Sequence, residues 1–157
     1  LVAWKNKNCI YLCGNGGSAG NANHIANDLI YGAGKQNGYG LNVEALSSNP
    51  SVITCLANDT GYENIFSEQL KAKGKKNDLL IAISTSGNSI NVINAINAAE
   101  KSGLDVIIFT GKEGGKMNHF DFLTLKIESG NVARIQECHI LVGHIVSKYL
   151  EENISLL

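Results

Sequence analysis

Cys9-Ile-Tyr-Leu-Cys-Gly-Asn-Gly-Gly-Ser18 and Asp78-Leu-Leu-Ile-Ala-Ile-Ser-Thr-Ser-Gly-Asn-Ser89 repeat one pattern in a single chain. Each is a short apolar run that ends in glycine and hydroxyl residues and then passes into a helical pattern. Runs this short, apolar on both faces and bounded by glycine, read as strands buried inside a sheet. One strand-loop-helix of this kind says little. Two suggest one anionic ligand held from two sides, as in a sugar-phosphate enzyme rather than a nucleotide-binding one.

Outward from these loops, strand and helix alternate. Strands are expected over Cys9–Cys13, Leu41–Leu46, Leu79–Ser84, Val106–Thr110 and Phe122–Ile127, the last more amphipathic. Ser18 is a natural N-cap for a helix over Ala19–Ile30, which the glycines Gly32, Gly34, Gly38 and Gly40 break. Further helices are expected over Pro50–Asn58, Asn64–Lys73, Ser89–Ser102 and Val132–Glu151. In the third of these, Val92, Ile93, Ile96 and Ala99 recur at helical spacing, and Gly103 stops it. Apolar strands alternating with helices describe an α/β fold, a three-layer doubly wound sandwich around a central parallel sheet.

Composition narrows the function. The 157 residues are 44% hydrophobic, enough for one compact domain. A net charge of −1, with lysines scattered among acids, gives no footprint for nucleic acid and no basic membrane face. No apolar run approaches the roughly 20 residues that span a bilayer. Cys9, Cys13, Cys55 and Cys138 include no Cys-x-x-Cys pair and read as reduced core thiols of a cytoplasmic protein. Arg134, the only arginine, is expected to have a fixed partner.

In a doubly wound sheet, ligands bind at the carboxyl ends of the strands, where both loops lie. Gly14, Gly16 and Gly17 let backbone approach a ligand, and the helix start at Ser18 favours an anion. Ser84, Thr85, Ser86 and Ser89 add four hydroxyls around Gly87. The first loop is neither Gly-Lys-Ser/Thr nor Gly-x-Gly-x-x-Gly, since Ala19 follows Ser18, which weakens a dinucleotide reading. The bland alternative is ordinary capped turns. His24 and Asp28 lie four apart, on one helix face. Such a pair shares a metal, forms an acid–base unit, or occurs by chance. Gln136 and His144 are eight apart on the closing helix and share roughly one face, with Glu137 and His139 on others. Gln136 suits a sugar hydroxyl. His144 alone reads either as a satisfied histidine or as an acid/base.

Taken together, Gly14–Ser18, Ala57-Asn-Asp-Thr-Gly-Tyr62, Ser84–Ser89, Thr110–Gly115 and Arg134-Ile-Gln-Glu137 with His139 and His144 resemble the phosphosugar isomerase (SIS) domain. Within it they are most similar to the phosphoheptose isomerase branch. The segments span nearly the whole chain. The resemblance implies a single SIS domain over residues 1–157, without the helices that the family carries before the first strand. It implies an aldose–ketose isomerase that converts sedoheptulose 7-phosphate to glycero-manno-heptose 7-phosphate through an enediol, for bacterial surface heptose synthesis. Ser18, Ser84, Thr85, Ser86 and Ser89 would hold the phosphate; Asn15, Gly16, Asn58, Asp59 and Gln136 would meet the sugar. Asp28 would move the proton between C1 and C2, with His144 as the partner acid/base. In some members a zinc ion lies among the residues matching His24, Asp28, Gln136 and His144. A homotetramer with shared active sites is implied as well.

Two departures stand out. The family usually has Glu where this chain has Asp28, and Val132 stands where a hydroxyl residue is frequent. The competing reading is a non-catalytic SIS protein that binds a replication initiator or another partner. Such a protein is expected to lose the carboxylate and histidine that Asp28 and His144 supply here. A sugar-phosphate sensor would carry a DNA-binding domain, and no such segment is present in this sequence.

Overall fold

The computed structural model describes residues 2–33 and 40–153. The strands are β1 (Ile10–Cys13), β2 (Val43–Ala45), β3 (Leu79–Ser84), β4 (Asp105–Gly111) and β5 (Leu123–Ile127). The helices are α1 (Val2–Lys5), α2 (Gly17–Asn27), α3 (Pro50–Thr60), α4 (Ser67–Lys73), α5 (Ile90–Lys101) and α6 (Val132–Glu152). The strands form one sheet in the order β2-β1-β3-β4-β5, every pair parallel.

Two-residue periodicity divides the core. Tyr11, Cys13, Leu80, Ala82, Val106 and Ile108 point to one face, with Leu70 of α4 and Val92 and Ile96 of α5. Ile10, Leu12, Ile81, Ile83 and Phe109 point to the other, with Ala22, Ile25 and Ala26 of α2 and Leu150 of α6. Both faces are covered, as near-continuous apolar strands require. Leu12, Leu80, Ile83 and Ile108 are completely buried, and each contributes about 1.5–3 kcal/mol through the water it sheds.

This order places the site. The chain leaves β1 through α2 to reach β2 on one side, and leaves β3 through α5 to reach β4 on the other. β1 and β3 are neighbours, so their loops diverge and leave a crevice between them.

Most elements fall within two residues of expectation, and β3 matches it at both ends. The helix after β1 does not. It begins at Gly17, and Gly16, with φ 53°, takes the N-cap instead of Ser18. Glycine enters this left-handed geometry without steric cost, so the turn starts earlier than a serine cap would set it. Ser18 is buried in the first turn, its N–H bonded to Asn15 O at 2.9 Å. The α-helix then widens into a π turn, Asp28–Gly32, closed by Ala33 N–H on Asp28 O at 2.9 Å. Gly34 and Gly38 of the expected break lie outside the described residues. The helix expected over Asn64–Lys73 is divided into a 3₁₀ turn, Tyr62–Asn64, and α4. A second 3₁₀ turn, Gly115–His119, has no counterpart in the sequence reading, because a tertiary bond from Met117 N–H to Gly87 O (3.0 Å) holds it.

All four cysteines are free thiols. Cys13 is fully buried, and desolvation pushes its pKa up to about 12. Cys55 corrects the core-thiol reading: it is exposed on α3, its Sγ 3.5 Å from Asp59 Oδ2. Among the described residues, no helix is long and apolar enough to cross a membrane.

Candidate active site

The second loop closes on itself through its hydroxyls. Ser84 Oγ, at the end of β3, lies 3.0 Å from Ser89 Oγ and 3.5 Å from Ser86 Oγ. Ser89 stands at the N-cap of α5, yet its hydroxyl makes no capping bond and faces Ser84 instead. A buttress fixes the loop from behind: Gly111 N–H donates to Thr85 O (3.1 Å) and Lys116 N–H to Asn88 Oδ1 (3.0 Å). The hydroxyl cluster therefore sits at the start of a helix, where backbone N–H groups and the helix dipole favour an anion.

The first loop is tied to the second through side-chain amides. Asn15 Nδ2 donates to Asn91 Oδ1 and Asn91 Nδ2 donates back to Asn15 Oδ1, both at 2.8 Å. Asn15 Oδ1 also accepts from Tyr62 Oη–H at 3.0 Å. Much of Asn15's amide capacity is thus spent within the protein. Sequence reasoning missed Asn91, whose only signal was its place in the first turn of α5. Asn58 and Asp59 are exposed at the end of α3, where Asn58 Nδ2 donates to Asp59 Oδ1 at 2.7 Å.

The third part of the site is a seam between α2 and α6, which run parallel on one face of the sheet. At its upper end, Asn21 Nδ2 donates to Gln136 O (2.9 Å). A Cβ on Gly17 would lie 2.5 Å from both heteroatoms of the Gln136 amide, so glycine is what admits that side chain. Lower down, a Cβ on Gly143 would lie 2.6 Å from Ile25 Cγ1. Glycine lets the helices approach there, and the residues beside that contact meet. His24 Nε2 is 2.9 Å from His144 Nε2, and Asp28 Oδ2 is 3.4 Å from the first and 3.5 Å from the second. Both histidine side chains are 50% exposed and Asp28 23%.

Thus His24, Asp28 and His144 are brought together, and Gln136 is not. Eight residues of helix span about 12 Å, and Gln136 rests against Gly17 at the loop end of the seam. Of the metal set implied by the resemblance, His24, Asp28 and His144 offer ligand atoms that all lie within 4.8 Å of one another. Two imidazoles and a carboxylate are the donor set of catalytic zinc, and zinc with ligand bonds of about 2.0–2.2 Å fits separations of this size. His139 stands apart. It is fully buried, Nε2 3.2 Å from Thr110 O, and its Nδ1 makes no hydrogen bond. Burial lowers its pKa, against a smaller opposing effect of the Thr110 carbonyl. Arg134 pairs with Glu137 one turn further along α6, both side chains more than half exposed, so the partner is a solvated one rather than the fixed one expected.

Comparison with known proteins agrees with this architecture. The model of the SIS domain family matches residues 1–111, which defines the class: a SIS domain. A phosphoheptose isomerase of Aliarcobacter butzleri is 46% identical over 151 residues, 96% of this chain and 79% of the relative. One from Helicobacter pylori strain Shi470 is 44% identical over 149 residues, 95% of this chain and 77% of the relative. The solved phosphoheptose isomerase of Neisseria gonorrhoeae superposes with a TM-score of 0.88 at 38% identity, covering 96% of this chain and 79% of that one. That of Francisella tularensis gives 0.91 at 31% identity, covering 96% and 80%. The chain belongs to the phosphoheptose isomerase family.

Proposed function

We propose that this chain is an aldose–ketose isomerase that interconverts sedoheptulose 7-phosphate and glycero-manno-heptose 7-phosphate, in bacterial surface heptose synthesis. The observation that carries the reading is the polarity of the α2–α6 seam. Anion-binding loops lie at its upper end, and a carboxylate with two imidazoles lies lower down. From Ser18 to His24 is about 9 Å along α2, a span suited to a sugar held by its phosphate at one end and reacting at the other.

Ser18, Ser84, Thr85, Ser86 and Ser89 receive the phosphate. Asn15, Gly16, Asn58, Asp59 and Gln136 orient the hydroxyls. Asp28 takes the proton from C1 of the ketose, leaving an enediolate, and returns it to C2. His144 carries the balancing proton from the C1 hydroxyl to the C2 oxygen, and His24 holds the imidazole and carboxylate in place. His24, Asp28 and His144 would hold a zinc ion, which polarises the substrate oxygens when bound.

The half-exposed histidines and the apolar Leu141, Ile145 and Tyr149 on the outside of α6 support a homotetramer in which subunits share active sites. The residues act as one SIS domain in the cytoplasm, where free thiols are maintained. The non-catalytic reading has no support from the relatives above, and Asp28 and His144 are both present. The test is turnover of sedoheptulose 7-phosphate by purified protein, coupled to a kinase acting on the aldose product, before and after chelation and with zinc restored. Absence of turnover in every condition, with the fold intact, refutes the proposal. Retention of stoichiometric zinc that His24→Ala abolishes is the expected metal result.

A further inference from the structure

Three segments that each carry part of the binding apparatus are joined pairwise by hydrogen bonds. The first loop meets the start of α5 through the reciprocal Asn15–Asn91 amide pair, 2.8 Å in each direction. The first loop meets the turn after α3 through Tyr62 Oη–H on Asn15 Oδ1, at 3.0 Å. That turn is returned to α5 by Asn94 Nδ2 on Glu63 O, at 2.9 Å. The ties close a triangle, and bodies linked at all three sides have no free hinge between them. Asn91 is 2% exposed, and its Oδ1 also accepts from Val92 N–H at 2.9 Å. Its amide is therefore held by its own helix as well as by Asn15. A buried amide with nearly every valence used is costly to disturb.

Each corner has a separate task if the isomerase reading above holds, and this inference rests on that reading. The start of α5 carries Ser89 and the phosphate hydroxyls. The first loop carries Gly16 and Ser18. The turn after α3 follows directly on Asn58 and Asp59. We infer that Asn91 and Tyr62 are positioning residues. Through Asn15, they fix the separation between the phosphate seat and Asn58/Asp59, and with it the length of sugar the site accepts. Neither residue has to touch the substrate. A site of fixed span rewards the sugar whose hydroxyls reach its far wall and leaves polar groups unpaired when a shorter sugar is bound.

The test compares wild type with Tyr62→Phe and Asn91→Asp by calorimetric titration of inorganic phosphate, fructose 6-phosphate and sedoheptulose 7-phosphate. Tyr62→Phe removes one hydroxyl from a ring that is 54% exposed. Asn91→Asp keeps the shape but turns a carboxylate oxygen toward Asn15 Oδ1. Phosphate affinity should stay within about twofold of wild type in Tyr62→Phe, since the phosphate hydroxyls are untouched and no charge is introduced. Affinity for the seven-carbon sugar should fall about fivefold in Tyr62→Phe, the worth of one neutral hydrogen bond, and further in Asn91→Asp. The preference for seven over six carbons should shrink in both. An unchanged preference in both variants, or equal loss of all three ligands in Tyr62→Phe, overturns the inference. If Asn91→Asp does not fold, Tyr62→Phe decides alone. Wild type that binds sedoheptulose 7-phosphate without converting it refutes the isomerase reading only, and the triangle is still judged on the affinity ratios. Wild type that binds phosphate but no sugar phosphate overturns the triangle.

Discussion

Gly143→Ala places one methyl group where α6 crosses α2. The new Cβ would lie 2.6 Å from Ile25 Cγ1 and 2.9 Å from Ile25 Cδ1, whereas carbon atoms rest about 3.5–4.0 Å apart. About 1 Å has to be found. Ile25 is 3% exposed and packed among Ala22, Ala26 and Leu29, so the helices part rather than the side chain turning away. Overpacking of this kind costs about 1–3 kcal/mol, and alanine returns about 1 kcal/mol through helix propensity. The net loss of at most about 2 kcal/mol lowers Tm by no more than about 8 °C in a chain of this size. Activity should suffer far more. A shift near 1 Å breaks the 2.9 Å contact between His24 and His144 and costs about a hundredfold in kcat. Thermal melting, isomerase kinetics and phosphate titration together check this, with phosphate affinity unchanged. Gly20→Ala is the control: a Cβ there has no neighbour within 4 Å, so Tm should rise slightly and kcat hold. If Gly143→Ala lowers Tm but keeps kcat within about twofold of wild type, a value far from the hundredfold expected, close helix approach does not set the cluster. If Gly20→Ala is equally inactive, the effect belongs to α2 as a whole and not to its seam.

Gly17→Ala should leave Tm nearly unchanged, because the Gln136 amide it displaces ends a flexible side chain, while KM for the sugar phosphate rises; a kcat effect alone would contradict the placement of Gln136. Asp28→Asn and His144→Ala should each lower kcat by about 10²–10⁴-fold with phosphate binding kept, and activity retained in Asp28→Asn would remove Asp28 from proton transfer. Asp28→Glu should keep or raise the rate if the cluster accepts the longer side chain, and a large loss would mean that it is built around the shorter one. His139 gives a pH dependence. Its folded pKa lies below the ordinary value of 6.5, so the unfolded chain binds the extra proton first. Stability is therefore full above about pH 6.5 and falls as pH drops toward the folded value; denaturant melts should show this acid limb flattened in His139→Leu.

The strands were legible because burial on both faces leaves runs such as Leu79–Ser84 with no polar residue until the loop begins. The loops were legible because a backbone that meets an anion needs glycine and hydroxyls in one place. Ser18 misled as a cap, since serine at a helix start looks the same whether it caps or sits inside the first turn; Gly16 decided between the two. Asn91, Tyr62 and Gly143 carried no local mark. Their partners Asn15 and Ile25 lie 47 to 118 residues away, and only tertiary packing gives them meaning. Helical spacing put Gln136 and His144 on roughly one face of α6 but did not tell that this face meets α2, or which end of α2 each residue joins.

The meeting of His24 with His144 joins residues 120 positions apart, while the hydroxyl cluster is complete within Ser84–Ser89 and its buttress. The two halves of the site therefore depend on different parts of the fold. The hydroxyl cluster needs β3, the start of α5 and the buttress from Gly111 and Lys116, whereas the acid–base cluster also needs α6 docked against α2. A molecule whose α6 has come loose, or has been cut away, would still capture sugar phosphates without converting them. Turnover thus reports on completion of the fold, and phosphate binding only on its first half.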